Sequence, residues 1–177
     1  MSLSVRKIVI SGILGAISIL LGVTRLGFIP VPTPAGHATI MHIPAILGGV
    51  LEGPVVGLIT GAIFGIFSFL QPGAPFFADP LVSILPRLFI GVVAYLIYHA
   101  FKRINTVLAC ALAGIFGSVT NTVLVLGMAT IRDYLPLEAS VFTALTHGTP
   151  ELVVAAILTV ILVKGIQRIR PEDENIS

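Results

Sequence analysis

Charged residues are scarce in this chain: Asp, Glu, Lys and Arg together make up only 10% of its 177 residues. A soluble globular domain usually carries about a quarter charged residues, so this composition excludes that class. The single cysteine, Cys110, excludes a disulfide framework and a metal site built from several cysteines. There is no Walker A motif, so the chain does not hydrolyse ATP itself. There is also no tryptophan, which argues against a flavin or folate ligand that needs a large stacking surface.

Apolar residues dominate the composition: 56% of the chain is hydrophobic, and the apolar runs are long. Runs of this kind predict an all-α, polytopic membrane protein, with residues 1–177 forming a single membrane domain. The first run has no small-residue cleavage site, so we expect it to be a retained helix and not a signal peptide. Six transmembrane helices are predicted, over residues 5–23, 39–51, 54–70, 81–101, 105–128 and 150–169.

Arg87 lies about two turns inside the predicted helix 81–101, among almost entirely apolar residues. A charge at membrane depth costs at least about 2.5–3.5 kcal/mol and normally faces a partner or a cavity. Two interpretations stay open. Arg87 either snorkels to the interface or joins a structural ion pair, or it faces a ligand pocket.

Other polar residues also have both a structural and a functional interpretation. Prolines at 30, 32 and 34 favour extended backbone and predict a loop that caps the bundle. His37 precedes the short second helix, where a histidine is more often interfacial than ligand-binding. Thr120 and Asn121 lie deep in an apolar run and form either interhelical hydrogen bonds or ligand contacts. Glu151, in the first turn of the last predicted helix, could simply complement the helix dipole.

Basic residues are concentrated at one set of helix ends. That set holds Arg6, Lys7, Lys102, Arg103, Lys164, Arg168 and Arg170, and the other set holds Arg25 and Arg132. The positive-inside rule therefore predicts that both termini are cytoplasmic, in the plasma membrane of a prokaryotic cell. This topology brings Asp79, Arg87, His147 and Glu151 to a similar depth on the outer side, which favours an extracellular-side pocket.

Several motifs occur in an order and spacing that are fairly specific together. These are Gly12-xxx-Ala16, HIPAILGGVLEGPVVG (residues 42–57), LPRLFIGVVAYLIY (85–98) and TNTVLVLG (120–127). The chain resembles the substrate-binding S components of energy-coupling factor (ECF) vitamin transporters over essentially its whole length. The family usually has alanine at the first position of the small-residue motif, where this chain has Gly12.

The resemblance implies high-affinity vitamin binding and uptake, without enzymatic activity, a cofactor, a metal or a nucleic acid. It implies two kinds of protein partner, a transmembrane coupling subunit and two ABC ATPase subunits, within the lipid bilayer. Gly12 and Ala16 become the candidate docking face for the coupling subunit. The candidate substrate contacts are Arg87, Asn121, Glu151, His147, Asp79, His37 and Thr120.

These motifs look more like those of pantothenate-type S components than like those of riboflavin or cobalt S components. Pantothenate also offers a carboxylate for Arg87, and an amide and hydroxyls for Asn121 and Thr120. Other classes stay open: a stand-alone proton-coupled carrier, or a non-transport membrane protein. An enzyme is less compatible with the sequence, because no histidine–carboxylate pair has catalytic spacing on one helix and no serine nucleophile motif occurs.

Overall fold

The computed structural model describes residues 4–30 and 37–169, and helices account for most of them. The elements follow in the order α1 (Val5–Val23), β1 (Phe28–Pro30), β2 (His37–Thr39), α2 (Ile43–Glu52), α3 (Pro54–Leu70), a 3-10 turn (Pro75–Ala78), α4 (Pro80–Ser83), α5 (Leu85–Phe101), α6 (Thr106–Ile131) and α7 (Leu137–Ile169). Four segments of the described chain are long and apolar enough to cross a membrane, namely α1, α4–α5, α6 and α7. The predicted all-α membrane fold is confirmed.

Several helix ends follow directly from the local sequence. Asn105 begins α6 because its side-chain oxygen accepts the backbone N–H groups of Val107 and Leu108. Gly53 separates α2 from α3 with a φ of +103°, a conformation that residues with a Cβ rarely adopt. The bounds of α1 and α3 coincide with the predicted ranges, whereas α2 begins four residues later than predicted, at Ile43.

The predicted helix 81–101 is divided at Ile84 into the single turn α4 and the longer α5. Pro86 explains the division, because proline has no N–H to donate to the carbonyl of Val82. The backbone N–H of Arg87 bonds to Ile84, so the carbonyl of Ser83 also loses its usual helical partner. Two carbonyl oxygens at the start of α5 are therefore available for other donors.

The largest departure from the sequence prediction is α7. The expected loop before residue 150 is wrong from Leu137 onward, because one helix of 33 residues runs from Leu137 to Ile169 with Pro150 inside it. Pro150 removes a single backbone hydrogen bond, whereas a non-helical segment would expose many more unpaired groups to the membrane. α6 likewise extends to Ile131, three residues past its predicted end.

The first loop contains a two-stranded antiparallel sheet, in which Phe28 is opposite Thr39 and Ile29 is opposite Ala38. The sequence predicted extended backbone here but not paired strands. Residues 31–36, which include Pro32 and Pro34, lie outside the described part of the chain. The two strands together are called the hairpin below.

Glycines allow α3 and α5 to pack backbone against backbone. A Cβ added to Gly57 would lie 2.8 Å from the Cα of Gly91, and a Cβ on Gly61 would collide with the carbonyl oxygen of Arg87. The small residues of α3 therefore form a face that packs against α5. This contact fixes the first turns of α5, and with them the position of Arg87.

Candidate functional site

A cavity of about 500 Å³ lies between the hairpin, α3, the segment before α4, and α5, α6 and α7. Its volume is within the range of about 300–1,000 Å³ that is usual for small-molecule sites. Its lining residues are Phe28, Thr39, Phe64, Gly73, Ala74, Phe76, Phe77, Arg87, Asn121, Thr122, Val125, Leu126, Leu135, Thr143, His147 and Glu151. Four of the predicted contacts, Arg87, Asn121, His147 and Glu151, are therefore brought together.

Arg87 is buried, with only 3% of its surface exposed, and several contacts hold its side chain in place. Its Nη1 donates to the carbonyl oxygens of Val82 at 3.0 Å and Ser83 at 2.6 Å, the two groups that Pro86 leaves without helical partners. The guanidinium also lies 5.0 Å from the ring centre of Phe64 and 4.8 Å from that of Phe77. These rings stabilise the cation through their π faces.

No described carboxylate neutralises Arg87. The two ion pairs among the described residues are Arg6–Glu52 and Arg132–Asp79. The Nε of Arg87 is buried and has no hydrogen-bond partner in the described part of the chain. A buried cation without a counter-ion is costly, so this wall of the cavity is suited to an anion.

The wall formed by α6 and α7 carries several polar side chains. Thr143, His147 and Glu151 are spaced four residues apart and therefore share one face of α7. Two expectations from the sequence are therefore wrong: Glu151 lies in the middle of a helix and not in its first turn, and His147 and Glu151 form a histidine–carboxylate pair one turn apart on one helix. Glu151 accepts the backbone N–H of Thr39 through Oε1 at 2.7 Å, which ties the hairpin to α7. Asn121 on α6 is 7% exposed, and its Oδ1 has no hydrogen-bond partner among the described residues.

Asp79 is buried but does not line the cavity. Its Oδ1 accepts the N–H of Leu81 at 2.9 Å, and its Oδ2 accepts Nε of Arg132 at 2.9 Å and the hydroxyl of Tyr134 at 3.4 Å. The Leu81 hydrogen bond first, and then the Arg132 hydrogen bond, hold the pKa of Asp79 below its usual value. The structure thus gives Asp79 a capping and pairing role at the edge of the site.

Thr120 does not line the cavity either. Its hydroxyl donates to the carbonyl of Phe116, whereas Thr122, two residues along α6, lines the cavity. His37 belongs to β2, but its side chain lies outside what the structure describes.

Sequence reasoning missed the aromatic residues Phe64, Phe76 and Phe77, as well as Thr143. The four-residue spacing of Thr143, His147 and Glu151 could have revealed one face of a helix. That signal was lost because the segment was interpreted as a loop. The phenylalanines gave no comparable signal, since Phe76 and Phe77 follow an irregular stretch of Pro and Gly.

Gly12 and Ala16 lie on the exposed face of α1, where a Cβ on Gly12 would meet nothing within 4 Å. Ser11, Gly15 and Ser18 form the buried face of the same helix, and Gly15 packs on Ile63. The predicted small-residue motif therefore lies on an exposed surface of the described bundle.

Comparisons with known proteins agree with this architecture. The family model described as "ECF transporter, substrate-specific component" matches residues 6–163. The pantothenic acid transporter PanT of Lactococcus lactis subsp. cremoris is 28% identical over 75% of this chain and 79% of its own length. The sensor protein LytS of Bacillus anthracis is 26% identical over 73% of this chain, which spans only 20% of LytS. The solved structure of the S component of a bacterial ECF transporter has the same fold, with a TM-score of 0.64, 17% identity, and coverage of 94% of this chain and 98% of that one.

Proposed function

The chain belongs to the family of ECF transporter substrate-specific components, and we propose that its substrate is pantothenate or a closely related carboxylate. Proteins of this family are membrane proteins that bind a vitamin and work with a transmembrane coupling subunit and ATPases.

The observation that carries the proposal is the unpaired cation of Arg87. A guanidinium donates two parallel hydrogen bonds to a carboxylate. In Arg87, Nη1 is engaged with backbone carbonyls while Nε has no described partner. A carboxylate bound in the cavity would neutralise this buried charge. The pantothenic acid transporter of Lactococcus, which matches most of this chain, supports a carboxylate substrate of this kind.

The rest of the cavity fits the other parts of pantothenate. Asn121 and Thr122 would bind its amide and Thr143 a hydroxyl group, while Val125 and Leu126 offer apolar surface to its two methyl groups. The volume of about 500 Å³ exceeds that of a small vitamin, as is usual for ligand cavities in proteins.

The membrane orientation and the docking face are also parts of the proposal. We infer that both termini are cytoplasmic, since the basic residues concentrate at their end of the bundle. The cavity then opens to the outside beneath the hairpin. Gly12 and Ala16, which are exposed on α1, form the surface that contacts the coupling subunit of an assembly containing two ABC ATPases.

Native mass spectrometry of the detergent-purified protein, followed by calorimetric titration, tests the substrate assignment. We expect one pantothenate per chain, and we expect pantothenol, in which an alcohol replaces the carboxylate, to bind far more weakly. Equal binding of pantothenol and pantothenate would show that Arg87 does not recognise an anion. Absence of pantothenate binding, or a carried-through ligand without a negative charge, would overturn the assignment.

A further inference from the structure

We propose that the cavity binds its substrate in one orientation, with the anionic end at Arg87 and a hydroxyl-bearing end at Thr143, His147 and Glu151. In this arrangement Glu151 is a specificity-determining residue that selects substrates carrying a hydrogen-bond donor at the end far from the carboxylate. This inference rests on the proposed function, because it assigns the two ends of the same ligand.

The two walls of the cavity have opposite hydrogen-bonding character. At the α5 wall, Arg87 can only donate, and the adjacent Phe64 and Phe77 offer rings. At the α7 wall, the carboxyl oxygens of Glu151 accept hydrogen bonds, as the contact with Thr39 shows, and Asn121 on α6 has a buried Oδ1 without a described partner. A substrate carboxylate therefore has a cationic partner at Arg87 and none at Glu151, so the reversed orientation is disfavoured.

Glu151 keeps acceptor capacity while it holds the hairpin. Its Oε1 accepts the N–H of Thr39 at 2.7 Å, but a carboxylate offers about four lone-pair directions. A substrate hydroxyl can thus donate to Glu151 without breaking this contact. Because Glu151 is 6% exposed, a hydrogen bond made there is shielded from water and discriminates strongly against a ligand that lacks the hydroxyl.

The test measures the binding of three ligands to four forms of the protein. The ligands are pantothenate, its analogue without both hydroxyls, and pantothenol. The proteins are wild type, Glu151→Gln and Arg87→Met, with Glu138→Gln as the control because Glu138 is an exposed residue on the same helix. Calorimetry gives each affinity, and a thermal melt of each preparation shows that it is folded.

We expect wild type to prefer pantothenate over the dehydroxylated analogue by about tenfold to a hundredfold, as for a buried hydrogen-bonding group that is left without its partner. Glu151→Gln should lose most of this preference while still rejecting pantothenol. Arg87→Met should lose the preference for the carboxylate and retain the preference for hydroxyls. Glu138→Gln should behave as wild type.

Each contrary outcome has a distinct meaning. If wild type binds neither acid, the proposed function fails and this inference fails with it. If wild type binds both acids equally, the inference is overturned while the pantothenate-type function stands. If Glu151→Gln weakens both acids by the same factor, Glu151 only positions the hairpin and the inference is again overturned. Should Glu151→Gln not fold, Thr143→Val on the same face provides the second variant, and an unchanged hydroxyl preference in it would contradict the orientation.

Discussion

Asp79 and Arg132 form an ion pair of 2.9 Å that joins the residue before α4 to the residue after α6. Nearby, Phe76, Phe77 and Leu135 pack on the small apolar cluster of Val82, Val125 and Ala129, and these three partly buried residues also line the cavity. The ion pair therefore fixes the relative position of two segments at the edge of the site, without contributing a ligand contact itself.

Two substitutions at Asp79 separate its two roles. Asp79→Asn keeps an oxygen for the N–H of Leu81 and loses the charge that faces Arg132, whereas Asp79→Ala loses both. We expect melting temperatures in the order wild type, Asp79→Asn, Asp79→Ala, because a lost N-cap adds to the lost pair. Scanning fluorimetry in one detergent measures the order. Equal melting temperatures for the two variants would contradict the capping role.

The pH dependence of stability should report the same carboxylate. The pKa of Asp79 lies below its usual value because of the Leu81 hydrogen bond and then Arg132. The stabilisation is therefore complete above the unfolded pKa of about 3.9 and is lost as the pH falls through the lower folded value. We expect the melting difference between wild type and Asp79→Asn to be constant from neutral pH to about pH 5 and to shrink towards pH 3. A difference that grows on acidification would be the wrong sign for this pair.

Substitutions of Arg87 distinguish substrate binding from bundle stability. Arg87→Met removes the charge from the proposed carboxylate contact, which should cost about 2–5 kcal/mol of binding free energy. This corresponds to roughly 30-fold to several-thousand-fold in affinity. Arg87→Lys keeps the charge without the planar fork and should be intermediate. Affinity and melting temperature are measured on the same preparations. A folded Arg87→Met variant with near-wild-type affinity would remove Arg87 from the site.

The exposed face of α1 offers a matched test of docking. Gly12→Leu and Ala16→Leu should leave folding and pantothenate binding unchanged, because both positions are exposed, but should reduce assembly and uptake with the coupling subunit. Gly15→Leu, on the buried face, should instead destabilise the isolated protein, since a Cβ there would lie 2.6 Å from Ile63 Cδ1. Co-purification and uptake assays give the result. Normal assembly of both exposed-face variants would place docking elsewhere.

Gly61→Ala tests the contact between α3 and α5. The added methyl would collide with the carbonyl oxygen of Arg87, so the helices must separate and Arg87 must shift. We expect a lower melting temperature and weaker substrate binding together. Gly127→Ala on α6 is the control, because a Cβ there meets nothing within 4 Å. An unchanged melting temperature for Gly61→Ala would mean that the two helices are less closely packed than described.

Apolar helices whose ends are marked by proline or polar residues were predictable from the sequence. α3 begins at Pro54 and ends before Gln71, where proline and polar residues mark its ends. α7 was not, because the pattern Thr-His-Gly-Thr-Pro before residue 151 is typical of a loop in water. In a membrane the unbroken helix prevails, since it leaves fewer backbone groups unpaired.

Residues of the candidate site could be predicted from the sequence where a polar side chain lies in an apolar run, because its burial there costs free energy. Arg87 and Asn121 are conspicuous because a polar group in an apolar run needs a partner. Asp79 was equally conspicuous, but its partner, Arg132, lies in a turn 53 residues away, and no local pattern connects the two. Apolar contacts such as Phe64 could not be distinguished from core residues, because each is as favourable in the core as in a cavity wall.

The contacts that hold the Arg87 side chain reduce the conformational entropy that is lost when a ligand binds. An arginine side chain that is free to rotate loses about 2 kcal/mol of rotamer entropy when it is immobilised. Here the carbonyls of Val82 and Ser83 and the rings of Phe64 and Phe77 already fix the guanidinium. That loss therefore occurs when the chain folds, and an arriving carboxylate does not incur it again. The break that Pro86 makes in the helix is thus what preorganises the guanidinium of the next residue.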